Sequence, residues 1–344
     1  MSYTSSWRSP SNIALIKYWG KHELQLPRNP SLSFTLSASH TDMTMTVSPG
    51  EHSSLTILYE GNPKPAFATK ISAFFSRIDS YFPWLRTSSI LIDSFNTFPH
   101  GAGIASSASA MSALALCIKD IDDQINGRIH KDAGWWSQAS EMARLGSGSA
   151  SRSVFPIAAL WGTANGIAAS SDHFAIPWQA EINPYYTSFE DTILIVKDDE
   201  KAVSSTVGHQ LMELHPYAGA RYTTARENLT RLVDALRNPP LVDRFITICE
   251  SEALHLHALM MSGPNPFVLI EPATISIIKE VWRFRKESAL PVCFTLDAGP
   301  NVHLLYPATH KTEIMGWIKS HLLPYCASEK FIEDRVGSGP EKIS

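Results

Sequence analysis

The sequence lacks the features of a disulfide-stabilised, zinc-stabilised or membrane-spanning protein. Its 344 residues include only four cysteines, which lie far apart, with no Cys-x-x-Cys pair and no histidine at zinc-finger spacing. We expect these thiols to be reduced and mostly buried. The longest smooth apolar stretch, residues 105–118, is rich in serine and alanine and too short to cross a bilayer, and residues 1–11 lack the apolar core of a signal peptide. These absences predict a soluble, cytoplasmic protein without a membrane partner.

The sequence also lacks an excess of basic charge. Lysine and arginine number 29 against 33 aspartates and glutamates, which gives a net charge of −4. Such a balance provides no overall positive electrostatic potential to attract nucleic acid, and we therefore expect no nucleic-acid partner. An anionic small molecule remains a possible ligand, because a few local cations are enough to hold one. Hydrophobic residues make up 44% and charged residues 18%, which is typical of a globular protein.

Hydrophobic periodicity predicts strands and helices in irregular order, which favours an α+β fold over a regular alternation. The predicted strands cover residues 12–18, 31–39, 43–47, 54–59, 89–93, 192–196, 293–296 and 302–306. The predicted helices cover residues 68–80, 108–118, 131–145, 217–236, 241–259, 274–288 and 313–322. Gly146 is expected to cap the third of these helices, and the tail after Val336 is expected to be frayed.

One segment, residues 99–108, has the composition of an anion-binding loop. Gly101 and Gly103 let the backbone approach an anion closely, and a helix N-terminus follows them. The hydroxyls of Ser106 and Ser107 could reach a phosphate or a magnesium ion. The loop lacks the Gly-Lys-Ser/Thr end of a Walker A motif and contains no Gly-x-Ser-x-Gly. Taken alone, the segment favours a flexible turn before a buried Ala/Ser helix over a phosphate-binding loop.

Three further segments carry groups that suit anion chemistry. Residues 146–153 combine short hydroxyls and glycines with Arg152, whose guanidinium could bind a carboxylate or phosphate in bidentate fashion. Lys17 and Lys21 follow an apolar run, and Asp297 ends another at a sharp Gly-Pro turn. Each has an ordinary alternative, namely a Gly/Ser connector, a strand end with solvated lysines and a common Asp turn.

Taken in order, these segments resemble the diphosphomevalonate decarboxylase family of the GHMP kinase superfamily. Residues 12–21 are similar to its N-I-A-x-x-K-Y-W-G-K signature, and residues 99–108 to its phosphate loop, P-x-x-x-G-L-A-S-S-A. Residues 146–153 resemble its G-S-G-S-A-x-R-S, and residues 203–206 and 294–301 its V-S-S-T and F-D-A-G-P-N segments. The matches come in family order and span nearly the whole chain.

The resemblance implies an ATP- and Mg²⁺-dependent decarboxylation of mevalonate 5-diphosphate to isopentenyl diphosphate, through phosphorylation of the 3-hydroxyl and loss of phosphate and carbon dioxide. It implies an N-terminal domain like ribosomal protein S5 domain 2, placed at residues 1–185, and a ferredoxin-like C-terminal GHMP kinase domain at residues 186–344. Members are commonly homodimers, so a homodimer is expected here.

The resemblance also implies roles for single residues. Asp297 would be the catalytic carboxylate, either a base or a positioner of the hydroxyl; Lys17 would be its cation, and Arg152 would hold the substrate carboxylate. The expected substrate-binding residues are Tyr18, Lys21, Ser147, Gly148, Ser149, Arg152, Ser204 and Ser205. The expected ATP-binding residues are Gly101, Gly103, Ala105, Ser106 and Ser107, with Ser106 or Ser107 near magnesium.

Three positions depart from the family pattern, and they leave the substrate less certain than the reaction. His100 stands where threonine is common, Pro30 replaces a serine, and His209 stands where methionine is usual. The nearest alternative is a decarboxylase specific for the monophosphate. Another GHMP small-molecule kinase would form a phosphorylated product without carbon dioxide, and a non-catalytic relative would bind nucleotide without turnover.

Overall fold

The structure is a computed structural model that describes residues 2–50, 53–99, 104–129, 131–198 and 205–344, with the backbone alone for residues 205–207. The strands are β1 (Tyr3–Ala14), β2 (Lys21–His22), β3 (Leu26–Pro27), β4 (Ser31–Pro49), β5 (Ser54–Tyr59), β6 (Asn62–Pro63), β7 (Ser88–Asn96), β8 (Ala158–Trp161), β9 (Ala175–Pro177), β10 (Phe189–Leu194), β11 (Cys293–Thr295), β12 (Val302–Pro307), β13 (Phe331–Arg335) and β14 (Glu341–Lys342). The α-helices are α1 (Ala68–Ile78), α2 (Ser106–Asn126), α3 (Ala133–Gly146), α4 (Pro184–Thr187), α5 (Ser205–Gln210), α6 (Ala218–Leu236), α7 (Val242–Ser262), α8 (Pro272–Ser288) and α9 (Lys311–Trp317).

The larger sheet is built around β4, a strand of 19 residues. Its strand order is β14-β1-β4-β7-β5-β6, and β8 pairs with both β4 and β9. Met43, Met45 and Val47 alternate into the core, as their period-two spacing predicts. Helix α2 packs across β1 and β4 and is covered on its other side by α3, which is why most of its residues are buried. This packing holds the first turn of α2 in place against the larger sheet.

The smaller sheet has the order β11-β12-β10-β13, with all its strands drawn from residues 189–335. The two sheets share one hydrophobic cluster. The ring of Phe34 on β4 lies 6.1 Å from that of Phe245 on α7, and Phe245 lies 5.5 Å from Phe189 on β10. Because aromatic side chains bury large apolar areas, this contact fixes the edge along which the two sheets meet.

Most predicted elements are confirmed, with differences at their ends. The strand at 54–59 is confirmed as β5, and the pair at 293–296 and 302–306 forms the antiparallel β11 and β12. The two predicted strands at 31–39 and 43–47 are one continuous strand, and α2 runs eight residues past the predicted end at 118. Gly146 is the last residue of α3, and extended Ser147 caps the helix, so the predicted cap is wrong by one position.

The prediction of a frayed tail after Val336 is wrong. Strand β14 pairs with the outer edge of β1, and Lys342 reaches the buried carboxylate of Asp120 at 2.8 Å. The tail also meets β4, since the Gly337 N–H donates to the Thr35 carbonyl at 2.8 Å. Free edge hydrogen-bonding groups on β1 thus hold a segment whose own composition has no strand signal.

The four thiols are buried and unpaired, as the sequence predicts. Across the described ranges, no helix combines the length and the apolar character needed to span a bilayer.

We expect Asp334→Asn to destabilise the fold by about 2–3 kcal/mol, measured as the free energy of unfolding in denaturant. The buried Asp334 carboxylate on β13 accepts the backbone N–H groups of Ser37, Ala38 and Ser39 at 2.7–2.8 Å, and an amide would turn a donor toward one of them. The neighbouring, half-exposed Glu333 provides the control, because Glu333→Gln should change stability by less than about 0.5 kcal/mol. Equal effects of the two substitutions would contradict this role for Asp334.

Candidate active site

A cavity of about 890 Å³ opens between the two sheets and is lined by residues from both parts of the chain. Its described lining includes six basic side chains and a single acidic one, Asp297. The basic residues are Lys17, Lys21, Lys64, Lys70, Arg77 and Arg152. Such an imbalance in a partly enclosed space strongly favours an anionic ligand, although the whole chain carries a net charge of −4.

The carboxylate of Asp297 is paired with the ammonium group of Lys17. The Nζ atom of Lys17 lies 3.0 Å from Oδ1 of Asp297, and their side chains are 2% and 24% exposed. Lys17 follows β1, whereas Asp297 follows β11, so the pair bridges the two sheets. Because a buried ammonium group is costly without a counter-charge, each side chain constrains the other.

A buried arginine–glutamate pair holds the backbone of Lys17. The Glu252 carboxylate on α7 accepts hydrogen bonds from both terminal nitrogens of Arg221 on α6, at 2.8 and 2.7 Å. It also accepts one from the Asn228 amide at 2.8 Å. The Lys17 N–H donates to the same carboxylate at 2.9 Å, while Arg221 and Asn29 donate to the Lys17 carbonyl. Burial would raise the pKa of Glu252, but the Arg221 guanidinium outweighs it, and the net pKa lies below the usual range.

Helix α7 also holds the backbone of Asp297. His257 is on the same helix as Glu252, and its Nε2 donates to the Asp297 carbonyl at 3.1 Å. One rigid helix therefore contacts both strand ends that carry the ion pair. This arrangement fixes the relative position of Lys17 and Asp297 independently of any ligand.

Arg152 is buried beside this pair with part of its hydrogen-bonding capacity unused. Its Nε donates to Ser33 at 3.0 Å, and its Nη2 donates to Asn12 at 3.2 Å. Its Nη1 is buried and has no hydrogen-bond partner among the described residues. Burial lowers the pKa of Arg152 to about 10, a fall that the nearby Asp297 opposes, so the group stays cationic at pH 7. An unsatisfied, charged donor in a cavity is a site for a carboxylate or phosphate.

Tyr18 packs against Gly148 of the Gly/Ser segment, close enough to Arg152 to feel its charge. Its hydroxyl is buried without a partner in the described part of the chain, and burial raises the pKa of the phenol, so it is a neutral donor. Gly148 is needed at this contact, because a Cβ there would lie 2.8 Å from Trp161 and 2.9 Å from the Tyr18 hydroxyl. The glycine thus lets the loop backbone lie against Tyr18.

The two Gly/Ser segments meet at a row of hydroxyls. Ser107 Oγ lies 3.3 Å from Ser147 Oγ, which lies 3.5 Å from Ser149 Oγ. Ser107 is in the first turn of α2, where Ala105 precedes the helix with a left-handed φ of 46°. The N–H groups and positive dipole end of this long helix face the same cavity, an arrangement suited to phosphate.

Helix α1 adds cations that the sequence patterns do not indicate. Burial, and secondarily the charge of Arg77, lowers the pKa of Lys21; burial and the charge of Lys21 do the same for Lys70. Neighbouring cations lower one another's pKa by repulsion, and an anion that binds between them stabilises their charged forms. On the sequence, Lys70 and Arg77 look like the solvated face of an amphipathic helix.

The described residues contain no cluster of three or more His, Cys, Asp or Glu side chains that could hold a metal by themselves. Ser106 and Ser107 line the cavity as neutral oxygen donors. Because magnesium is usually held by few protein ligands together with substrate phosphates, this donor set fits a magnesium–nucleotide complex in which the phosphates supply most ligands.

The structure brings most of the predicted site residues together. Lys17, Tyr18, Lys21, Ala105, Ser106, Ser107, Ser147, Gly148, Ser149, Arg152 and Asp297 all line the cavity. Gly101, Gly103 and Ser204 lie outside the described residues, and only the backbone of Ser205 is described.

Two family models match consecutive parts of the chain. Residues 9–175 match the model described as "Diphosphomevalonate decarboxylase-like N-terminal domain", and residues 192–342 match "Mevalonate 5-diphosphate decarboxylase C-terminal domain". The chain belongs to the diphosphomevalonate decarboxylase family.

Individual members of the family match over nearly the whole chain. A diphosphomevalonate decarboxylase from Debaryomyces hansenii is 28% identical over 350 residues, covering 95% of this chain and 86% of the relative. The crystal structure of mevalonate diphosphate decarboxylase from Staphylococcus aureus is 27% identical with a TM-score of 0.86, over 100% of this chain and 99% of that one. A structure named "MDDEF in complex with MVAPP, AMPPCP and Magnesium" is 27% identical with a TM-score of 0.85, over 100% of both chains.

These similarities confirm the predicted α+β architecture as the GHMP kinase fold. Within this fold, sequence patterns do not identify the residues that bind the backbone of Lys17 and Asp297. Glu252, Arg221 and His257 lie on helices whose sequences suggest ordinary packing, and no short motif marks them. The one available signal was a glutamate at a position that helical periodicity assigns to the buried face.

We expect Glu252→Gln to lower the free energy of unfolding by about 3 kcal/mol at pH 7, because it leaves the buried Arg221 without its counter-charge. Since the folded-state pKa of Glu252 is lowered, its stabilisation is complete above the unfolded value of about 4.3 and is lost as the pH falls through the folded value. Denaturant unfolding of both proteins at pH 7 and below pH 4 should therefore show the difference shrinking in acid.

The exposed pair of Arg237 and Glu181 provides the matched control. Its side chains are 48% and 46% exposed, and Glu181→Gln should cost less than about 0.5 kcal/mol at either pH. A pH-independent loss in Glu252→Gln would show that its effect does not come from the ionised carboxylate.

Proposed function

We propose that this protein catalyses the ATP-dependent decarboxylation of mevalonate 5-diphosphate to isopentenyl diphosphate, ADP, phosphate and carbon dioxide. The observation that carries the proposal is the buried Lys17–Asp297 pair beside the unsatisfied Arg152, at one end of a cation-lined cavity. Family membership and the similarity to structures with bound MVAPP and AMPPCP support the same reaction.

The first step is transfer of the γ-phosphoryl group to the tertiary 3-hydroxyl of the substrate. Asp297 accepts a hydrogen bond from this hydroxyl and either takes its proton or only orients it. Lys17, at 3.0 Å, favours the ionised form of the carboxylate and offsets charge on the transferring group. The remaining contribution is positioning, which dominates phosphoryl transfer generally.

The second step breaks two σ bonds and forms two π bonds, the new carbon–carbon double bond and the second C=O bond of carbon dioxide. The C3–oxygen bond breaks with its electrons leaving on phosphate, and the bond to the carboxylate carbon breaks with its electrons forming the new double bond, which releases carbon dioxide. Arg152 holds the carboxylate through its free Nη1 while Ser33 and Asn12 fix the other guanidinium nitrogens. This orientation keeps the breaking carbon–carbon bond aligned with the departing phosphate.

The nucleotide phosphates would lie at the N-terminus of α2, against Ser106 and Ser107 and opposite Lys70 and Arg77. Ser106 or Ser107 would contribute a hydroxyl to a bound magnesium ion, which would neutralise phosphate charge. Tyr18, Lys21, Ser147, Gly148 and Ser149 would hold the substrate diphosphate. Ser204 and Ser205 are proposed to lie nearby on the basis of their motif.

The resemblance supports three further proposals that the single chain leaves open. We propose a homodimer, a cytoplasmic location, and a division into domains at residues 185 and 186. The family models, which match residues 9–175 and 192–342, are consistent with that division.

The deciding experiment measures ATP-dependent carbon dioxide release by the purified protein from mevalonate 5-diphosphate, mevalonate 5-phosphate and mevalonate. We expect release from the diphosphate, with isopentenyl diphosphate formed. Release of carbon dioxide from the monophosphate alone would support the proposed decarboxylation but identify mevalonate 5-phosphate as the substrate. Formation of ADP without carbon dioxide would make the protein a small-molecule kinase and remove the proposed function.

We expect Asp297→Asn to lower kcat at least a hundredfold, which corresponds to about 2.7 kcal/mol of barrier, because the amide can neither take a proton nor balance Lys17. Steady-state kinetics give the rate, and circular dichroism checks the fold. Asp198→Asn removes a carboxylate from an exposed pair with Lys330 and should leave the rate unchanged. A near-normal rate in folded Asp297→Asn would exclude a catalytic role for this carboxylate.

We expect Arg152→Lys to lower kcat/KM by a factor of about a hundred or more, because a compact ammonium lacks the separate, coplanar nitrogens with which Arg152 contacts Ser33 and Asn12 and presents Nη1 to the cavity. Arg237→Lys makes the same exchange at an exposed ion pair with Glu181, and this control should leave the activity unchanged. Activity of Arg152→Lys comparable to that of the control would show that the guanidinium does not hold the substrate carboxylate.

A further inference from the structure

The cavity wall contains a histidine that the mechanism above does not use. His209 is 7% exposed, lines the cavity, and lies on α5. Its ring centroid is 4.3 Å from that of Tyr18 and 4.8 Å from that of Trp19. Gly208 makes this packing possible, because a Cβ there would lie 2.4 Å from the Trp19 ring. The imidazole is therefore held in a fixed orientation at the cavity surface.

The hydrogen bonding of His209 defines which nitrogen carries its proton. Its Nδ1 lies 3.0 Å from the backbone N–H of Gly20 and accepts from it. Burial, and secondarily the charge of Lys21, lowers the pKa of His209 to about 3, so the ring is neutral at pH 7. A neutral imidazole with Nδ1 as acceptor carries its single proton on Nε2. Among the described residues, no acceptor meets that proton.

The neighbours of His209 in the cavity include residues that the proposed function assigns to the substrate diphosphate. The Tyr18 ring centroid is 4.3 Å from that of His209, and the Gly20 N–H that binds Nδ1 directly precedes Lys21 in the chain. Tyr18, Lys21 and His209 all line the cavity. Because Tyr18 and Lys21 are proposed to hold the substrate diphosphate, His209 lies beside the proposed position of that group.

We infer that His209 is a specificity-determining residue whose Nε2–H donates a hydrogen bond to the terminal phosphate of the substrate diphosphate. This inference rests on the proposed function, which supplies the diphosphate end. Tyr18, Lys21 and the Ser147 and Ser149 hydroxyls can all donate there, and a wall of donors suits a polyanionic group.

The inference is particular to this chain. The family pattern has methionine at this position, and a thioether can neither accept strongly from the Gly20 N–H nor donate to a phosphate. A neutral donor adds hydrogen-bonding specificity without adding another cation beside Lys21, whose own pKa is already lowered.

Two substitutions separate the function of the two ring nitrogens. His209→Asn retains an acceptor for the Gly20 N–H but is too short to donate into the cavity. His209→Gln places an amide near the position of Nε2 and retains the donor. The measurements are the Kd of mevalonate 5-diphosphate and of mevalonate 5-phosphate by calorimetry, and KM and kcat with each compound.

We expect His209→Asn to raise the Kd and KM of the diphosphate roughly tenfold, since a hydrogen bond to a charged group is lost, and to change those of the monophosphate less than about twofold. The kcat should stay within about twofold, because the contact lies away from the reacting atoms. His209→Gln should recover most of the affinity for the diphosphate.

Two results would overturn the inference. Equal weakening of both compounds in His209→Asn would indicate a merely structural role, as would normal binding in His209→Asn with a loss in His209→Gln. Calorimetry does not depend on turnover, so absence of carbon dioxide release would remove the proposed function without deciding this point. Binding of the diphosphate no tighter than the monophosphate by the unmodified protein would remove the inference alone.

Discussion

The site depends on one constraint: an ammonium group and a carboxylate from opposite sheets must be held 3.0 Å apart in a largely desolvated position. A buried lysine is costly, and its pairing compensates only if the geometry is fixed in advance. The chain fixes it through backbone rather than through the paired side chains. Glu252 and Arg221 bind the backbone of Lys17, and His257 binds that of Asp297. Preorganisation of this kind means that the ligand does not have to order the reactive groups.

The second constraint is the excess of cations around a single carboxylate. Lys21, Lys70 and Arg152 all have lowered pKa values, mainly because they are buried, and Arg152 keeps an unsatisfied nitrogen. These groups are unfavourable in the free protein and become favourable when phosphates and a carboxylate enter. These unpaired local cations favour the binding of an anion in the cavity, although the whole protein has a net charge of −4.

Sequence patterns predict the groups that line the cavity better than those that support them. Lys17, Arg152 and Asp297 sit in short segments with unusual composition, so a motif marks each one. Glu252 and His257 lie on the buried face of α7, where the hydrophobic pattern predicts only core packing. Their hydrogen-bond partners are distant in sequence. The C-terminal tail shows the same limit, because Glu341 and Lys342 form a strand only through the free edge of β1. At the tail, tertiary contact overrides local propensity, whereas on α7 the helix is predicted and only the tertiary partners of its buried residues are not.

The same division between fixed and adjustable parts explains where substrate specificity can change. Helix α7 ties both strand ends at the reacting centre, so separating Lys17 from Asp297 would break the buried contacts of Glu252 or His257. That end tolerates little variation. His209 lines the same cavity on a short helix, and its contacts to the wall are ring packing and one backbone hydrogen bond. A residue exchange there can alter recognition of the phosphate group while leaving the ion pair in place.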